Sequence, residues 1–115
     1  MNLLNQKEVN MGIIGQFYLT ETDNGNIIGE FSNNLSDEIY SISGDFLEGE
    51  GGFIGTYRVT WREKNEGIFT YLEISYLYDN SKLFKLIWKD RKKKEIFEGE
   101  GMLCNDLLIG NYRSI

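Results

Sequence analysis

The sequence predicts an all-β fold, an antiparallel up-and-down barrel of eight strands in a single domain spanning residues 1–115, with a β-sandwich as the alternative. Three observations predict it. The composition is 14% aromatic with 13 glycines, no proline and no alanine, which suits pleated, half-buried surfaces and tight turns better than helices. Turn-forming clusters recur at regular intervals: Thr22-Asp23-Asn24-Gly25, Asn33 to Asp37, Lys64-Asn65-Glu66-Gly67, Asp79-Asn80-Ser81, Asp90 to Lys94, and Asn105-Asp106. Between them the apolar residues alternate with polar ones at the two-residue period of a strand. Barrel and sandwich arise from the same alternation and spacing.

Taken in order, the first two strands are expected over 11–20 and 26–32, with Ile14-Gly15-Gln16-Phe17 and Ile28-Gly29-Glu30-Phe31 at their centres. A third, over 38–47, carries Tyr40, Gly44 and Phe46. The fourth, over 53–62, alternates cleanly: Tyr57, Val59 and Trp61 share one face, and Arg58, Thr60 and Arg62 the other. The fifth, over 68–78, is apolar on both faces in places. That pattern implies a cover on its outer side, with a second subunit and the N-terminal segment as equal alternatives, so a homo-oligomer is one expectation. The sixth, over 82–89, sets Phe84, Leu86 and Trp88 against Lys85 and Lys89. The last two span 95–103 and 107–113.

An internal echo runs through these strands. Glu48-Gly49-Glu50-Gly51 leads to Ile54-Gly55-Thr56-Tyr57-Arg58, and Glu98-Gly99-Glu100-Gly101 leads to Ile109-Gly110-Asn111-Tyr112-Arg113. A repeated apolar–Gly–polar–aromatic unit means that strands bend, or that glycine leaves room for a neighbouring ring. Its irregular period excludes a solenoid or propeller.

Composition also narrows the function. A formal net charge of −6 argues against nucleic acid as a partner, because phosphate binding draws on Lys and Arg. No apolar run approaches the ~20 residues of a membrane helix and no signal-peptide core is present, so the expected location is cytoplasmic and no membrane partner is expected. With Cys104 alone there is neither an internal disulfide nor a thiolate cluster, and Cys104 is expected as a small buried hydrophobe. Without histidine, Ser-His-Asp and Cys-His arrangements are excluded, together with the commonest zinc sites. No catalytic residue, metal or cofactor is therefore expected. Gly49-Glu50-Gly51-Gly52 resembles a dinucleotide fingerprint only superficially, since no helix is expected after it. Glu48 with Glu50, and Glu98 with Glu100, each project from one strand face; they read as solvated strand faces rather than as a cation site. The run Arg91-Lys92-Lys93-Lys94 reads as a solvated hairpin loop rather than a grip for an anion.

One resemblance spans most of the chain. The frame Phe17-Tyr18-Leu19-Thr20, Gly25, Ile28-Gly29-Glu30-Phe31, Tyr40, Gly44 and Phe46 resembles the opening of an avidin or streptavidin barrel. Tyr57 to Arg62 and Leu83 to Trp88 resemble that family's tryptophan-bearing strands. What the resemblance implies is an eight-stranded calycin-type barrel with a ligand pocket at one mouth, where Trp61 and Trp88 supply rings. Phe31 stands where the family has a pocket tyrosine, and Met11 to Gly15 offers neither the asparagine nor the serine of its first strand. Asn33 and Thr70 are partial substitutes, which implies weak affinity for biotin itself. The leading expectation is a non-enzymatic barrel binding a small, mostly apolar or aromatic ligand in its cavity, through Phe31, Asn33, Tyr40, Trp61, Thr70, Leu72 and Trp88, with the equal alternative that the rings simply fill a narrow barrel. The alternative is a protein-binding module, of the inhibitor or immunity type known on similar bacterial barrels, acting through an acidic surface.

Overall fold

The computed structural model describes residues 12–115, and it resolves the choice between barrel and sandwich. Eight strands follow one another: β1 (Ile14–Glu21), β2 (Ile27–Asn33), β3 (Tyr40–Gly51), β4 (Ile54–Glu63), β5 (Glu66–Tyr76), β6 (Leu83–Lys89), β7 (Glu95–Cys104) and β8 (Leu107–Ser114). Each pairs antiparallel with the next, and β8 returns to β1 through pairs such as Phe17 with Gly110, closing the barrel. Closure leaves no open sheet edge along the main wall.

Alternation decides what fills the interior. Phe17 and Leu19, Tyr57, Val59 and Trp61, Leu72 and Ile74, and Phe84, Leu86 and Trp88 all point inward and are buried. Their strand neighbours Arg58 and Lys85 are exposed, as the two-residue period requires. The repeated glycines make room for these rings. A Cβ on Gly15 would lie 2.4 Å from the Tyr112 ring and equally close to the Ser32 carbonyl oxygen.

β3 runs four residues beyond its expected end at residue 47. Two register irregularities, between Phe46 and Glu48 and between Glu48 and Gly51, let the glycine-rich stretch stay paired with β4 while it bends. Gly49, at φ 139°, allows the approach: a Cβ there would lie 2.4 Å from the Gly55 Cα.

One expectation changes. Cys104 closes β7 at the turn to β8 and is exposed, because it falls on the outward side of the strand end. The basic loop is exposed, as expected, and two of its cations rest on rings: Arg91 lies over the Phe69 ring at 4.3 Å from its centroid, and Lys93 over Tyr71 at 3.4 Å. With Arg58 also over Phe69 at 4.2 Å, cations of the same chain cover the outer apolar side of β5. The N-terminal segment, the other expected cover, lies outside the described residues. Glu98 and Glu100 face outward as expected and hold Arg113 of β8, Glu100 through two bonds of 2.9 Å. None of the described residues forms a helix long and apolar enough to cross a membrane.

Candidate functional site

The two ends of the barrel differ. The end bearing the β1–β2, β3–β4, β5–β6 and β7–β8 connections is plugged by Phe53, which adopts φ 76° and is buried. Its carbonyl accepts the Tyr57 hydroxyl at 3.0 Å, its amide donates to a Glu21 carboxylate oxygen at 3.1 Å, and its ring meets Phe84 edge-on.

At the opposite end the wall itself parts. β3 and β4 pair only as far as Ser43 with Thr60. Beyond that point Tyr40, Ser41 and Ile42 pair with β2 alone, while Trp61, Arg62 and Glu63 pair with β5 alone. A groove of about 580 Å³ occupies this split, lined by Tyr40, Ser41, Ile42, Thr60, Trp61 and Arg62 among others. Its size falls within the usual range for small-molecule sites.

Three of the seven expected site residues, Phe31, Tyr40 and Trp61, are joined by ring contacts at the inner side of the split, and Asn33 is linked to them through Tyr112. Phe31 stacks on the half-buried Tyr40, with centroids 5.0 Å apart, and meets Trp61 edge-on at 5.9 Å. Asn33 is buried at the end of β2, where its amide donates to the Tyr112 hydroxyl at 3.0 Å and its carbonyl oxygen accepts the Leu35 amide. Thr70 faces inward on β5, cross-strand from Val59. Its hydroxyl has no hydrogen-bond partner although the residue is fully buried. The remaining two, Leu72 and Trp88, face one another across β5 and β6 at the packed centre, both fully buried. Trp88 touches Phe17 and Tyr112 by its ring, yet its indole N–H is also unpartnered. Side chains thus fill the barrel axis, and the cluster reaches the surface at the half-buried Tyr40, Trp61 itself being buried behind it.

Two contributors escaped the sequence reading. Glu63 is buried beside the cluster, and one of its carboxylate oxygens accepts the Trp61 indole N–H at 2.6 Å. The inward row Tyr57, Val59, Trp61 points to position 63 by simple continuation, but the strand was expected to stop at residue 62. Tyr112 links Asn33, Phe31, Phe97 and Trp88. Its place in the Ile109-Gly110-Asn111-Tyr112 echo, matching inward Tyr57, was the available signal.

Burial sets the protonation of the phenols. Desolvation raises the Tyr112 hydroxyl far above the ordinary tyrosine value, against the opposing effect of the Asn33 hydrogen bond. Tyr40 is raised more mildly, again chiefly by burial. Both remain neutral hydroxyls at physiological pH and can serve as hydrogen-bond donors. Among the described residues, no group of three or more metal-ligating side chains exists. The cluster therefore offers stacking surface, a buried carboxylate and hydrogen-bonding groups.

No protein-family model, curated protein or solved structure matches this chain. The eight-stranded closed barrel agrees with the streptavidin-like architecture at the level of fold.

Proposed function

We propose that this chain is a non-enzymatic binding barrel that takes a small, flat, mostly apolar or aromatic ligand in the split between β3 and β4. The parted wall carries the reading. It brings a groove of ligand size against Tyr40 and Trp61, behind which Phe31 extends the aromatic surface. The avidin-like resemblance supports the same mouth at the level of fold, with a different polar set.

The test is titration of a panel of planar aromatic compounds, followed by tryptophan emission and thermal shift. A saturable change that Trp61→Ala removes in a folded variant supports the reading. A flat response across the panel, with both tryptophans insensitive, contradicts it.

A protein-binding role is the second reading, and one observation favours it. Leu83, Met102, Ile109 and Tyr18 are exposed and stand in direct cross-strand register across the outer wall of β6, β7, β8 and β1. An apolar row of this kind is a natural contact for a second copy of the chain. A dimeric mass in sedimentation equilibrium, reduced to the monomer by Met102→Lys, supports that reading, and a monomer at all concentrations refutes it.

A further inference from the structure

The chain is acidic overall, yet eight of its 12 basic residues come from the outer wall of β4–β6 and the β6–β7 turn, among them Arg58, Lys89, Arg91, Lys92, Lys93 and Lys94. Their arrangement is built rather than diffuse. Asp90 accepts the backbone amides of Lys92 and Lys94 at 2.8 and 3.0 Å through one carboxylate oxygen. The Asp90 amide in turn donates to the Lys94 carbonyl, and the Lys93 amide to the Asp90 carbonyl. Lys93 takes φ 69°, which swings its ammonium over Tyr71, while Arg58 and Arg91 settle over Phe69. A groove of about 400 Å³ lined by Ile68, Phe69, Asp90, Arg91 and Lys92 runs alongside. Lys89 is already engaged by Glu73 at 3.0 Å.

We propose that this corner docks a short acidic segment of a partner protein, whose carboxylates meet the guanidinium and ammonium groups of Arg58, Arg91, Lys92 and Lys94. Arg58 and Arg91 are held on rings rather than paired with carboxylates, so their N–H edges can form the forked bonds that carboxylates accept. Side chains that are already ordered lose little entropy on docking. Two features favour a peptide carboxylate over nucleic acid. Two guanidiniums and an ammonium cover Phe69 and Tyr71, so bases find no open ring to stack on. A long polyanion leaving the corner also runs along a chain whose net charge is −6, whereas a short segment ends before leaving the corner.

The test is fluorescence anisotropy of a labelled octaglutamate peptide against the full chain at near-physiological salt. Saturable binding is expected, weakening as salt rises and falling about tenfold in the double variant Lys92→Glu/Lys94→Glu. Both of those side chains are exposed, so the fold survives the change, and Arg91→Glu provides a second reading if its circular dichroism is unchanged. Trp61→Ala leaves this binding intact, which keeps it separate from the ligand site. Absent binding, binding equal in the charge-reversed variant, or tighter binding of a single-stranded oligonucleotide than of the peptide overturns the proposal.

Discussion

Replacing Thr70 with valine isolates the physical oddity at the heart of the barrel. The hydroxyl is fully buried and makes no hydrogen bond, so the folded protein has removed it from water without compensation. That desolvation costs about 1–3 kcal/mol. Valine keeps the branched shape and replaces the hydroxyl with a methyl that favours burial, so Thr70→Val should stabilise the ligand-free chain by about 1–3 kcal/mol. Each kcal/mol is worth roughly 4 °C in melting temperature for a chain of this length. Chemical denaturation read by tryptophan emission gives the free energy directly, with an unchanged slope confirming that only stability moved. Binding in the split between β3 and β4 should be unchanged, because the fully buried Thr70 does not line that groove. A neutral or destabilising outcome refutes the reasoning, for it means that the hydroxyl is satisfied in the resting protein, as by an internal water.

Further predictions follow from other parts of the barrel. Gly15→Ala places a methyl 2.4 Å from both the Tyr112 ring and the Ser32 carbonyl oxygen, and should cost about 1–3 kcal/mol in chemical denaturation. Since one of the two obstructions is backbone, trimming Tyr112 to leucine should not restore the loss. Burial pushes the Tyr57 phenol up to about 12 from an ordinary 10, and Tyr112 is raised too. A phenol raised in the folded state contributes stability below pH 10 that is lost as pH climbs toward 12, since the unfolded chain releases its proton first. Phenolate absorbance should therefore show both groups titrating only as the barrel unfolds, and early titration of all seven tyrosines in folded protein contradicts this. Cys104 should react with a thiol reagent in native buffer as readily as in denaturant, whereas strong protection in the native state contradicts its exposed position.

How much of this was legible in the sequence differs from residue to residue. Period-two alternation placed Tyr57, Val59, Trp61, Phe84, Leu86 and Trp88 on the inner face, and turn residues marked six of the seven connections between strands, because both signals are local. Strand ends were less readable. β4 runs one residue past its expected stop, which hid Glu63, and β3 continues through Gly49 to Gly51 because bulges keep it paired. Cys104 was misjudged on residue type alone, although its position at a strand end beside Asn105-Asp106 decides its exposure. The parting of β3 from β4 had no sequence signal at all. It depends on where two partners stop matching across space, and the aromatic residues on either side look like ordinary core. Likewise, the covering of Phe69 and Tyr71 by Arg58, Arg91 and Lys93 joins residues from three elements, so a basic loop and an apolar strand read separately as unrelated features.

The central claim, that a small molecule occupies the split beside Tyr40 and Trp61, is tested most directly by native mass spectrometry of freshly purified protein beside the denatured chain. The expected result is an extra mass of small-molecule size that is lost on denaturation and is absent or much reduced in folded Trp61→Ala. A bare protein mass that stays bare after incubation with planar aromatic compounds, or an adduct that Trp61→Ala retains in full, contradicts it.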